Sequence, residues 1–133
     1  MLSTYEDYKP EPMSLSLEEM AALHQEMAGE ISGDAEALEI YKELYAAAVK
    51  YSESRSNWPL WDKEKKQEED PVRTSRHNKV IIAFNMLARY LKMQGKAASW
   101  RDTLGEESEN PYFRKRIGDF ACYIVLIGSL NAR

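Results

Sequence analysis

The chain has 133 residues and a formal net charge of −4, with 44% hydrophobic and 30% charged side chains. That length predicts one domain burying roughly two-thirds of its unfolded surface, so the fold needs neither disulfides nor a structural metal. A single cysteine excludes an internal bridge, and the acidic balance argues against a nonspecific nucleic-acid coat.

The charge is unevenly placed. Residues 1–54 hold twelve acidic and three basic side chains, while residues 55–133 hold ten acidic and fifteen basic ones. The preferred reading is that the two halves pack together and complement each other. The alternative is a basic binding face in the second half. The N-terminus, Met1 to Pro10, is acidic and lacks the apolar core of a signal peptide. Together with the lone Cys122, set in an apolar segment, this predicts a cytoplasmic protein in a reducing compartment.

In chain order, residues 1–14 show no helical period, carry Pro10 and Pro12, and read as a flexible N-terminal arm preceding one domain over residues 15–133. Ser16-Leu17-Glu18-Glu19 is a capping box. Leu17, Met20, His24, Met27 and Ile31 then recur at helical spacing, and Ser32-Gly33 closes the helix. Asp34 is the next N-cap, and Leu38, Tyr41, Leu44, Ala48 and Tyr51 give an amphipathic helix to about Ser54. Residues 55–70 read as a charged connecting loop: Trp58-Pro59-Leu60-Trp61 is a turn that tacks onto the core, and the run from Lys63 to Glu69 has no apolar face. Asp70-Pro71 is a cap-plus-proline start for a long helix to about Met93, with His77, Val80, Ile81, Phe84, Leu87, Ala88 and Leu91 on its buried stripe and Gly95 at its end. Ser99 to Leu104 is a short helix stopped by Gly105.

Asn110-Pro111 opens the last helix, which is apolar nearly all round from Ile117 to Leu130 and belongs at the centre of the fold. It is too short, and with Asp119 too polar, to span a bilayer, which takes about 20 mostly apolar residues. Gly118, Ala121, Cys122, Val125, Gly128 and Ser129 lie along one side and predict a close crossing with the helix of residues 72–93. The expected fold is therefore an all-α, compact bundle of four main helices plus one short helix.

Arg73-Thr74, His77-Asn78, Asn85, Ala88-Arg89, Trp100, Leu104-Gly105 and Gly118-Asp119-Phe120-Ala121 resemble a family of small bacterial proteins from low-GC Gram-positive bacteria and their mobile elements. The resemblance covers roughly residues 70–133 and implies an all-helical fold. The family has no assigned function, so the resemblance implies no site residues.

Enzyme signatures are absent: no phosphate-binding glycine loop, no nucleophile elbow and no His-Glu-x-x-His pair. Two histidines and one cysteine do not make a conventional zinc set, no Glu-x-x-His unit suggests a di-metal bundle, and no metal or cofactor is expected. One constellation suggests chemistry. Arg73, Thr74, Arg76, His77 and Asn78 crowd the expected first turns of the long helix, where free N–H groups and the dipole favour anions. A phosphate or an acidic ligand fits there, although His77 on the apolar stripe reads first as a packed core residue. Asp119, the one acid in the apolar helix, reads as half of a structural ion pair with Arg73, Arg76 or Arg89. The functional expectations rank as follows: a protein-protein interaction module, with a protein partner or as a homodimer; a nucleic-acid-binding module using Arg76, Lys79, Arg89, Lys92, Lys96 and Arg101; and a binder of phosphate or acidic ligands near Arg73 and His77. Catalysis ranks below all three, and no membrane partner is expected.

Overall fold

The computed structural model describes residues 15–104 and 113–131, with the backbone alone at 113–115 and 129–131. The arm expected at residues 1–14, the stop at Gly105 and the Asn110-Pro111 cap lie outside the described residues. The described residues form an all-α fold: α1 (Leu17–Ile31), α2 (Ala35–Asn57), α3 (Lys63–Met93), the short α4 (Ser99–Leu104) and α5 (Phe113–Asn131). A single 3-10 turn, Trp58–Leu60, links α2 to α3.

Local chemistry sets the helix ends. Ser16 Oγ accepts from Glu19 N–H at 3.0 Å, and Glu19 accepts from Ser16 N–H at 2.8 Å, completing the capping box. Asp34 Oδ1 accepts from Ala37 N–H at 3.0 Å and starts α2. Gly33 and Gly95 stand at φ +80° and +84°, where a left-handed residue lets the chain leave a helix.

The connection at residues 55–70 differs from the loop expected there. Helix α2 runs on to Asn57, and α3 begins at Lys63 because Asp62 Oδ1 caps Lys65 N–H at 2.8 Å. Lysine and glutamate are strong helix formers. Lys65 lies 3.5 Å from Glu69 one turn on, and Lys65 and Lys66 stand 5.6 and 5.9 Å from the Trp61 and Trp58 ring centroids. These local contacts suffice without an apolar face. Pro71 is thus an interior residue of a 31-residue helix and not its first turn.

One core cluster draws side chains from every helix, including Met27, Leu44, Phe84, Leu87, Leu104 and Phe120. The antiparallel α2–α3 pair is its most extensive contact, and α5 touches all four other helices, which gives it the central place expected. Its apolar girth is only half used: Ile117, Phe120, Ala121 and Ile124 are fully buried, whereas Leu126 is 53% exposed. The close crossing of α5 is with α2, not with α3. A Cβ on Gly118 would sit 2.8 Å from Tyr51 Oη and 2.9 Å from Arg55 Nη1, and one on Gly128 would sit 2.5 Å from Tyr45 Oη. Tyrosine rings on α2 need the space that the small residues of α5 leave open.

Candidate functional site

Asp119 is buried and paired, but its partner is Arg55 of α2 rather than any of the three arginines expected. The pair lies among Tyr51, Cys122 and the missing side chain of Gly118. Burial pushes both the Tyr51 phenol and the Cys122 thiol above their usual pKa values, so both stay neutral near pH 7. A charged pair flanked by two neutral groups holds two helices together.

Structural placement disperses the five residues expected to bind an anion. They lie beyond Pro71, well inside α3, so they have no free helix-terminal N–H groups to offer. Arg73 lies 4.1 Å from the Trp58 ring centroid and pairs with Asp70 at 3.1 Å. Arg76 donates to Ser54 Oγ at 2.8 Å and to the Lys50 carbonyl at 3.1 Å, tying α3 to α2. His77 is buried and meets Tyr51 edge-on at 5.0 Å, while Thr74 and Asn78 face outward. Arginines and histidine therefore serve the α2–α3 seam.

The basic residues of the second half also fail to form one stripe. Arg76 and Lys79 border α2, whereas Arg89 and Lys92 border a polar cleft against α4 with Asn85, Arg101 and Asp102. Arg101 is buried and donates through Nε to Asn85 at 2.8 Å. Lys96 donates to the Glu30 carbonyl at 2.6 Å. With Arg76, three of the six expected phosphate contacts are thus tied to other parts of the fold.

What remains open is a long groove on the outer side of the α2–α3 pair. Ile40, Glu43, Ala47 and Lys50 line it from α2; Val72, Lys79, Ile82 and Met86 are among those lining it from α3. Val72, Ile82 and Met86 are 38%, 57% and 44% exposed and leave apolar surface in water on either side of Lys79. Sequence reasoning missed this groove because Ile82 and Met86 lie off the buried stripe that it followed. Their signal was present in Val72, Lys79 and Met86, which are seven residues apart and share a face of the helix.

Among the described residues no group of histidine, cysteine and carboxylate side chains is placed to hold a metal, and no helix is long and apolar enough to cross a membrane. No known family, curated protein or solved structure matches the chain.

Proposed function

We propose that this protein is a protein-contact module whose working surface is the groove between α2 and α3. The observation that carries this reading is the exposure of Val72, Ile82 and Met86 on one side of α3, beside Ile40 and Ala47 and interleaved with Glu43, Lys50 and Lys79. Exposed apolar side chains gathered on one face mark a contact surface, and a groove between two helices suits an amphipathic helix. The cytoplasm is the proposed compartment, since the single Cys122 has no bridge to make.

The test is site-specific photo-crosslinking in cells with a reactive residue at Met86, set against the same probe at the distant, exposed Glu18. Crosslinked protein at Met86, absent at Glu18 and lost on Ile82→Glu, is the expected result. Equal yields at the two positions would remove the groove as the working surface.

A second reading, nucleic-acid binding, is favoured by the cleft that holds Arg89, Lys92 and Asn85. Its mark is affinity falling with salt at a log–log slope near −0.9 per phosphate neutralised on duplex DNA. Retention of duplex or single-stranded probes at about 150 mM salt, lost on Arg89→Glu with Lys92→Glu, would promote it over the contact reading.

A further inference from the structure

We infer that the groove takes an amphipathic helix of another protein, whose contact face is apolar at one end and acidic at the other. This rests on the contact reading above and adds the chemistry of the partner.

The argument is the difference between the two halves of the groove, which meet at Ala47 and Lys79. Toward the start of α2 the lining is mostly apolar: Ile40, Ile82, Ala83 and Met86, with Glu43 as its one acid. Toward the end of α2, Lys50 and Arg76 join Lys79, and no acidic side chain lines that half. Arg76 is already engaged, since it bonds Ser54 Oγ and the Lys50 carbonyl and lies 3.6 Å from Glu53. Lys50 and Lys79 are exposed and make no ion pair among the described residues. They are the charges that this half offers to a partner.

A partner that answers both halves sets apolar side chains on Ile82 and Met86 and carboxylates over Lys50 and Lys79. Laid the other way round, its carboxylates fall on the apolar half beside Glu43, where like charges repel. A groove whose ends differ in this way does not serve as its own partner about a two-fold axis, which points to a different chain. The walls explain why that chain is helical. Both are α-helices, whose backbone groups are bonded along the wall itself. An extended peptide finds no backbone partners there, whereas a helix arrives with its own bonds closed. From Val72 to Met86 the groove runs about 21 Å at 1.5 Å per residue, room for about four helical turns.

Fluorescence anisotropy of the full chain with three labelled helical peptides tests this at about 150 mM salt. Each peptide is about 15 residues long and carries leucines on one face of one half. The other half carries glutamates on that same face, lysines on that face, or glutamates on the opposite face. The first peptide is expected to bind at least about tenfold tighter than the other two. Lys50→Glu and Lys79→Glu are each expected to weaken it about fivefold, the upper range for an exposed ion pair. The doubly substituted protein is expected to prefer the lysine peptide instead. Both lysines are exposed, so circular dichroism is expected to report an unchanged fold. No binding up to about 1 mM, equal binding of all three peptides, or indifference to both lysines would overturn the inference. Self-association of the full chain that Lys79→Glu abolishes gives the groove to a second copy and overturns it as well. Where Met86 still crosslinks in cells, any of these results leaves the contact reading standing; without that crosslink both fall.

Discussion

Arg55 and Asp119 lie 64 residues apart in the chain, yet they share a charge-assisted hydrogen bond between α2 and α5 at the point where Gly118 lets the helices close. The Asp119 side chain is 3% exposed and that of Arg55 22%, so the pair is largely withdrawn from water. Opposite charges in that setting are costly to separate, because removing one leaves the other buried and uncompensated.

Asp119→Asn leaves the guanidinium without its counter-charge and is expected to cost about 3 kcal/mol. Urea unfolding followed by circular dichroism reads the change directly. Replacing both partners with leucine recovers most of the loss, because no buried charge is then left alone. A wild-type midpoint for Asp119→Asn would remove the pair from the account of stability.

Gly118→Ala and Gly128→Ala separate close packing from helix propensity. Propensity alone favours alanine in both places by about 1 kcal/mol. At Gly118 the new methyl meets the buried Tyr51 and the ion-paired Arg55, neither of which is free to move, and a net loss of about 1–3 kcal/mol is expected. At Gly128 the neighbour is the ring of the half-buried Tyr45, which is less enclosed than Tyr51. The cost there is expected to be smaller, and thermal unfolding of the two variants ranks them.

Glu30 fastens α1 to the start of α4. Its carboxylate accepts from the Trp100 indole N–H at 2.8 Å and from Ala98 N–H at 3.0 Å, and Ala98 holds the strained φ of +48°. Glu30→Ala strips two donors of their acceptor and is expected to cost about 2 kcal/mol. The near-ultraviolet dichroism of Trp100 is expected to weaken as its indole loosens; an unchanged spectrum with unchanged stability would deny the fastening.

Burial holds the His24 imidazole below its usual pKa of 6.5, with the Tyr123 ring edge-on at 6.0 Å. A histidine whose folded pKa is depressed takes up its proton more readily when unfolded. Its share of stability is therefore complete above pH 6.5 and lost as the pH falls from there through the folded pKa. His24→Phe is expected to flatten the stability–pH curve in that window, and the difference between wild-type and variant curves isolates the residue. Identical slopes would show that His24 titrates as it does in the unfolded chain.

Helices α1, α2 and α4 were legible in the sequence because their start signals and apolar spacing agree: Ser16 with Glu19, Asp34 with Leu44 and Ala48, Ser99 with Trp100. The stretch from Lys63 to Asp70 was not, because periodicity detects a helix that buries a face and this one buries none. Its order comes from contacts between near neighbours, which hydropathy does not register. The partner of Asp119 was illegible for another reason. Arg55 fell at the start of what read as a loop, and only the extension of α2 through it brings the guanidinium against α5. The groove escaped because its residues are ordinary when taken singly and come together only once α2 and α3 pack side by side.

Pro71 has one more consequence. A proline has no N–H to give the turn before it, so α3 is continuous in shape while its hydrogen-bond ladder is interrupted at one rung. With Asp70 before it, the same residue carries the signature of a helix beginning. The two turns that precede it hold no core side chain. They are thus able to unravel while residues beyond Pro71 stay wound, and the chain has a built-in place to stop fraying. In amide hydrogen exchange the backbone of residues 63–70 is expected to lose its label well before that of residues 80–91, as an opening unit of its own that leaves the groove in place.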